Sequence, residues 1–195
     1  SVRNQIDESI NQVVLTIIEA CILVFIVVFV FLQDLRSTII PAIAIPVSLI
    51  GTFFFLQLLG FSVNVLTMFA LVLAIGIVVD DAIVVVEAVH HKMTHSKLPA
   101  NKATVSAMNE ISTAIISITI VMAAVFVPVG FMEGPVGLFY KQFAYTLIFA
   151  ILISAVNALT LSPVLCALML KPAKEYTDET ASKFGRVKHR LFTAF

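Results

Sequence analysis

Three long stretches of this chain lack charge, since positions 37–79, 111–132 and 142–170 contain no Asp, Glu, Lys or Arg. Across the 195 residues, 60% are hydrophobic and only 12% are charged, which lies outside the usual balance of a soluble domain. A helix needs roughly 20 apolar residues to cross about 30 Å of hydrocarbon. The sequence therefore predicts an all-α integral membrane protein whose main partner is the lipid bilayer. We expect no nucleic acid among its partners.

Five segments are apolar over the length that a bilayer requires. We place them near residues 13–32, 38–59, 65–88, 109–131 and 143–170. Residues 1–12 are then the end of an external segment, residues 13–172 the transmembrane bundle and residues 173–195 a cytoplasmic tail. The chain opens with Ser1 and a polar stretch, not with a charged and then apolar signal peptide, so we expect an internal fragment of a larger protein.

Positive charge alternates between the connections. The second loop has no Lys or Arg and the fourth has Lys141 alone, whereas the first has Arg36 and residues 171–195, which include the tail, have six. The third loop is also rich in lysine (Lys92, Lys97 and Lys102). The positive-inside rule places the first loop, the third loop and the tail in the cytoplasm.

The third loop and the tail each predict a helix at the membrane surface. Pro99 fits the first turn of a short cytoplasmic helix that continues to about Met108. In the tail, four apolar residues recur at helical spacing among basic ones, which is typical of an amphipathic interfacial helix. They are Phe184, Val187, Leu191 and Phe195. A frayed chain end with accidental periodicity is the alternative for the tail.

His91 and His95 lie four residues apart before Pro99, a spacing that permits metal binding on a helix face. No cysteine and only distant acids are available to complete a ligand shell, so ordinary interfacial histidines are favoured. We predict neither a metal site nor a cofactor.

Asp80 and Asp81 are adjacent acids inside the third apolar segment, about 10 Å from its predicted cytoplasmic end. Insertion of one aspartate near a helix centre costs roughly 2.5 to 3.5 kcal/mol, and a neighbouring carboxylate adds repulsion. A proton, a cation from another helix or a water-filled cavity can offset this cost. No Lys or Arg lies inside the five predicted spans, so a cationic partner must come from elsewhere. Burial and like charge favour protonation of at least one carboxylate, and we predict a proton-relay site at this pair.

Several other residues in the spans allow both a structural and a functional interpretation. Gly76 shares a face with Asp80 and permits close approach of a neighbouring helix, either for packing or for function. Glu87 lies near the same face but close to water, where a solvated carboxylate is favoured. Glu19 either lines an access path in the outer half of the first span or contacts headgroups. Pro163, which follows Asn157, Thr160 and Ser162, favours a kink in the last span over a binding site.

The string NVLTMFALVLAIGIVVDDAIVVVEAV resembles the fourth transmembrane helix of the resistance-nodulation-division exporters, in their hydrophobe/amphiphile branch. The similarity continues in family order through LVFIVVFVFLQDLRSTIIPAIAIPVSLIGTF, VFVPVGFMEGPVG, YKQFAYT and LTLSPVLCALMLKP. The basic tail resembles the surface helix that joins the sixth and seventh spans of the family.

This resemblance implies spans two to six of a twelve-span pump in the bacterial inner membrane. Such a pump is a homotrimer that works with a periplasmic adaptor and an outer-membrane channel and exports amphiphilic small molecules in exchange for protons. Asp80 and Asp81 match the paired relay aspartates, whose lysine and arginine partners lie on spans of the second half. Residues 1–12 would end a periplasmic segment. The resemblance implies a secondary transporter and not an enzyme.

Two alternatives remain open at this point. A related branch that exports metals or lipids has similar spans, although the heavy-metal branch commonly keeps one acid of the pair. A non-transporting sensor or scaffold would use the aspartates only as buried polar groups.

Overall fold

The computed structural model describes residues 2–171, and within that range it contains helices and no strand. The helices are α1 (Val2–Leu32), α2 (Leu35–Leu58), α3 (Val65–His95), α4 (Ala100–Phe126), α5 (Gly134–Leu159) and α6 (Leu161–Met169), with a short 3₁₀ helix at Pro128–Phe131. Five helical segments are long and apolar enough to cross a membrane, counting α4 with the 3₁₀ helix and α5 with α6. The predicted all-α membrane fold is confirmed. The predicted tail helix within residues 173–195 lies outside the described residues.

Local sequence explains where the helices start. The Asp34 side chain caps α2 by accepting a hydrogen bond from the backbone N–H of Ser37. Asn64 caps α3 through a reciprocal arrangement with Thr67, in which each side chain bonds the other residue's backbone. These caps fix the two ends from which α2 and α3 run through the bundle in opposite directions.

Helix α3 is the centre of the bundle, because α1, α2, α4, α5 and α6 all pack against it. Its residues Val85, Val86 and Val89 are completely buried, and small residues such as Ala70 and Ala74 are buried against α5. Small side chains let helix backbones approach closely where lipid offers no hydrophobic drive for association. Residues Asp80 and Asp81 therefore lie on the helix that, within residues 2–171, packs against all the other α-helices.

Four helices begin or end well outside the predicted spans, and among them α1 begins at Val2 and α5 at Gly134. Helix α3 continues to His95, seven residues past the predicted end of its span, and α4 runs without interruption from Ala100 to Phe126. The prediction of a separate short helix after Pro99 is wrong, because Pro99 is the N-cap of α4 itself. Nothing in residues 100–110 stops the helix from continuing into the apolar segment.

The last span is broken, as Pro163 predicted. Helix α5 ends at Leu159 and α6 begins at Leu161, with the non-helical residue Thr160 between them. Proline has no N–H to donate to the carbonyl four residues earlier, and its ring disfavours a continuous helix. The break lies just beyond Asn157, on the last turn of α5.

Candidate proton-relay site

Asp80 is the midpoint of α3, with helical residues 65–79 before it and 81–95 after it. Because successive residues in an α-helix are turned by about 100°, Asp80 and Asp81 point to different sides of α3. The Asp80 side chain is exposed in the described structure, whereas that of Asp81 is partly buried. The pair that was predicted from sequence therefore consists of two carboxylates in different surroundings.

Asp81 points toward α5. Its Oδ2 accepts a hydrogen bond from the Ser154 hydroxyl, which is itself 1% exposed. A donor aimed at a carboxylate stabilises the charged form, while burial and the neighbouring Asp80 oppose it. Ser154 therefore supplies a neutral hydrogen-bond donor to Asp81 from α5.

One turn further along α5, Asn157 makes a second hydrogen bond to a neighbouring helix, and this one is buried. Its Nδ2 donates to the Ser48 hydroxyl of α2 over 2.7 Å, and both residues are buried. The sequence had indicated a kink here and no binding role for Asn157. Helix α5 is thus bonded to α3 through Ser154 and to α2 through Asn157.

Asp80 faces a different space. A cavity of about 550 Å³ lies between α1, the start of α2 and α3, and Asp80 is one of its lining residues. Glu87 and His90 line it as well, at positions seven and ten residues after Asp80 on one face of α3. The other lining residues are Ser37, Ile83 and four apolar residues of α1, namely Val27, Val28, Phe31 and Leu32.

The α1–α2 turn adds a carboxylate near this cavity. Asp34 Oδ2 accepts from Ser37 N over 3.0 Å and from Ser37 Oγ over 2.7 Å. Burial opposes ionisation of Asp34, but hydrogen bonds from Ser37 and from the Arg36 backbone, with the charge on His90, hold its pKa below the usual value. Ser37 therefore connects the ionised cap of α2 to the cavity that contains Asp80.

The face of α3 around Asp80 is open among the described residues. A Cβ built on Gly76, one turn before Asp80, would have no neighbouring atom within 4 Å. Within residues 2–171, therefore, no helix makes the close approach that was expected at Gly76. Leu73 and Val84 on α3 are also exposed, at 51% and 47%.

Cations are remote from the pair in the described part of the chain. The salt bridge found in residues 2–171 joins Lys92 of α3 to Glu110 of α4, twelve residues beyond Asp80 along α3. The helices packed around Asp80 and Asp81 also lack Lys and Arg over long stretches, at positions 37–79, 111–132 and 142–170.

The other sequence candidates lie apart from the pair. Glu19 is exposed on α1. The rings of His91 and His95 stack with centroids 4.1 Å apart near the end of α3, and His95 Nδ1 lies 3.3 Å from the His91 carbonyl oxygen. Within residues 2–171, no three His, Cys, Asp or Glu side chains are grouped as metal ligands.

Ser154 and Ser48 are the site residues that sequence reasoning missed. Each is a single small polar residue in an apolar span, and a serine of this kind commonly bonds its own helix backbone. The available signal was the i, i+3 spacing of Ser154 and Asn157, which places two polar groups on one face of α5.

Comparison with known proteins places this chain in a family. It matches the model of the AcrB/AcrD/AcrF family over residues 3–195. Multidrug resistance protein MdtF of Escherichia coli (strain K12) is 49% identical over 181 residues, covering 93% of this chain and 18% of that protein. Multidrug export protein AcrF of the same strain is 48% identical over 178 residues, covering 91% of this chain and 17% of that protein. Toluene efflux pump membrane transporter TtgB of Pseudomonas putida is 48% identical over 176 residues, covering 90% of this chain and 17% of that protein.

The chain spans less than a fifth of the length of these relatives. The family match nevertheless extends over almost all of it and includes every described helix apart from the first residue of α1. The predicted resemblance to the resistance-nodulation-division exporters is confirmed, and this chain belongs to the AcrB/AcrD/AcrF family.

Proposed function

We propose that this chain is the membrane-embedded proton-relay part of a proton-driven efflux pump for drugs and other amphiphiles, with Asp80 and Asp81 as the relay residues. The main observation is that Asp80 lies at the midpoint of the central helix and faces a space that residues 2–171 leave open. An ionisable group inside a membrane-spanning helix is costly to insert, so its presence favours a function for Asp80.

The open face is consistent with a partner from the rest of the protein. Gly76 and Asp80 lie on it one turn apart, and a small residue beside an acid leaves room for a helix with a long cationic side chain. The family resemblance assigns that role to a lysine and an arginine on later spans. We propose that these cations pair with the aspartates when the aspartates are ionised.

Protonation would break this pairing. A neutral Asp80 or Asp81 loses its attraction to the cation, so helices that were held together can separate. Each proton that crosses a 100 mV potential supplies about 2.3 kcal/mol, and a pH gradient adds to this. We propose that this energy drives the substrate-binding part of the pump in a substrate/proton antiport cycle.

The names of the relatives support the direction and the type of cargo, since they describe multidrug export and toluene efflux. We extend to this chain the family organisation of a homotrimer in the bacterial inner membrane, with a periplasmic adaptor and an outer-membrane channel. Amphiphilic small molecules are the proposed substrates. Export of metals or lipids and a sensor or scaffold role are the competing readings.

The test replaces Asp80 or Asp81 with Asn in the full-length transporter, because Asn matches the shape of Asp without its ionisation. Both variants should reach wild-type amounts in the membrane and lose both efflux of a fluorescent amphiphile and proton uptake in proteoliposomes. Glu110→Gln is the matched control, because Glu110 is an exposed acid near the end of the bundle and should be dispensable.

Wild-type efflux by both aspartate variants would exclude the relay and favour a structural role for the pair. If proton uptake persists in the wild type but only metal ions or lipids stimulate it, the antiport stands and the substrate class is wrong. If no substrate class stimulates proton movement in the wild type, the sensor or scaffold reading gains support.

A further inference from the structure

Helix α5 makes two side-chain hydrogen bonds to neighbouring helices within a single turn, one partly buried and one buried. Ser154 donates to Asp81 of α3, and Asn157 donates to Ser48 of α2 over 2.7 Å. The other side-chain bonds between helices or helix caps in residues 2–171 lie near the bundle ends, at Asn64 with Gln142 and at Lys92 with Glu110.

The bond between Asn157 and Ser48 is unusual for a buried polar group in this bundle. Thr52 and Thr119 are also buried, but each hydroxyl bonds a carbonyl of its own helix, as isolated hydroxyls in a membrane helix do. Asn157 instead places an amide in an apolar interface, where an unpaired amide would be costly. Its pairing with Ser48 therefore fixes how α5 meets α2.

The backbones of α2 and α5 are close at this level. A Cβ on Gly51 would lie 3.1 Å from the Ile153 side chain, so the contact has little spare room. Gly51 is one turn from Ser48 on α2, and Ile153 adjoins Ser154 on α5. Tight packing and the Asn157 hydrogen bond therefore act at the same contact, one turn from Asp81.

We infer that Ser48 and Asn157 are positioning residues for the relay, because their hydrogen bond sets the rotation and height of α5 at which Ser154 reaches Asp81. This inference rests on the proposed function. Ser48 and Asn157 do not handle the proton themselves. Their hydrogen bond positions Ser154, which donates to Asp81. We call Ser48 and Asn157 the α2–α5 clamp.

The groups around Asp81 make this effect readable in a titration. Asp80 on the same helix is its acidic neighbour, and the facing parts of α2 and α5 have only uncharged side chains, as positions 37–79 and 142–170 contain no charge. The facing part of α4, at positions 111–132, is also uncharged, α1 has Glu19 nearer its outer end, and α6 has the thiol Cys166 in the apolar core. Removing the Ser154 donor should therefore let the relay take up protons at higher pH.

The experiment compares four variants of the full-length transporter in proteoliposomes, with proton-coupled efflux measured against pH. Ser48→Ala and Asn157→Leu each leave one clamp partner unpaired, and the double variant removes both polar groups. All three should move the alkaline limb of the efflux profile by about half a pH unit to higher pH, a roughly threefold change in proton affinity. Ser48→Thr keeps a hydroxyl and should retain the wild-type profile.

The double variant distinguishes a structural role of the clamp from a positioning role. Because both partners are replaced by apolar groups, its thermal stability should recover toward wild type, whereas its shifted pH profile should persist. A double variant with wild-type stability and a wild-type profile would show that the clamp only stabilises the fold. Thr119→Val removes a buried hydroxyl that bonds its own helix, and it should leave the profile unchanged.

A second comparison asks whether the clamp acts through Ser154. In a Ser154→Ala background, the double clamp variant should add no further shift, because the donor that the clamp positions is already absent. Additive shifts would overturn the inference. If Asp80→Asn and Asp81→Asn retain efflux, the proposed function fails; if they abolish it while clamp variants keep the wild-type profile, only this inference fails.

Discussion

The Ser154 hydroxyl on α5 donates a hydrogen bond to the Asp81 carboxylate on α3, although 73 residues separate them in the chain. Both residues lie at the helix contact with the most extensive packing in the bundle. Asp81 therefore has a neutral donor inside this chain, while Asp80 next to it faces the open side of α3. The two aspartates have different surroundings and are not interchangeable.

Ser154→Ala should move the alkaline limb of proton-coupled efflux by about one pH unit to higher pH, since a hydrogen bond that favours the ionised carboxylate is lost. The measurement is efflux by the full-length transporter in proteoliposomes across a range of external pH. Ser117→Ala is the control, because that hydroxyl bonds its own helix on an exposed face of α4. An unchanged profile in Ser154→Ala would show that the bond does not influence the relay.

The fold could be predicted largely from the uncharged stretches, because lipid leaves few alternatives to a helix for an apolar segment of about 20 residues. The position of Asp80 and Asp81 inside an apolar helix followed from the same pattern. The ends of α3 and α4 could not be predicted from this pattern, since a helix that leaves the membrane keeps its own hydrogen bonds and is not limited by bilayer thickness. Helix α3 therefore continues to His95 through residues that looked like a loop.

The contacts of the pair could not be predicted from sequence. Whether Ser154 or another hydroxyl faces Asp81 depends on the rotation of α5 about its axis, which the packing of small residues such as Ala150 determines. Asn157 was visible as a polar residue in an apolar span, but its partner Ser48 lies 109 residues earlier on α2. A single sequence indicates that such a residue needs a partner and does not identify it.

Asp34→Ala should destabilise the start of α2 by about 1 kcal/mol at neutral pH, because the helix loses its N-cap. Hydrogen bonds from Ser37 and the charge on His90 lower the pKa of Asp34 despite its partial burial. Its ionised form therefore stabilises the native state above the unfolded value of about 3.9, and this contribution is lost as pH falls through the lower native pKa.

The measurement for Asp34 is thermal unfolding of the full-length protein in detergent at several pH values. The difference between wild type and Asp34→Ala should shrink in acid. Asp34→Asn keeps a capping oxygen and should fall between the two at neutral pH. A constant difference at every pH would mean that ionisation of Asp34 does not contribute.

Gly137→Ala should destabilise the start of α5 by about 1–3 kcal/mol, because the new Cβ would lie 2.5 Å from the carbonyl oxygen of Met132. The obstacle is backbone and cannot rotate away. Thermal unfolding of the full-length variant measures the loss. Gly130→Ala is the matched control, since its Cβ would meet the Tyr145 ring at an ordinary 3.5 Å. Equal stability of the two variants would show that the Met132 turn can relax.

Gly76 tests whether a helix from the rest of the protein packs beside Asp80. Apart from Gly76 itself, its chain neighbours and the nearby backbone of its own helix, no atom of residues 2–171 lies within 4 Å of a Cβ at this position, and Gly76 is exposed, so neither Gly76→Ala nor Gly76→Leu should clash inside the described bundle. If a cationic helix packs there as proposed, Gly76→Leu should reduce efflux by about tenfold or more at normal membrane levels, with Gly76→Ala closer to wild type. Leu73→Ala, which removes bulk from the same open face of α3 where Gly76→Leu adds it, is the control and should transport normally. Full efflux by Gly76→Leu would mean that lipid or water, and not a helix, covers this face of α3.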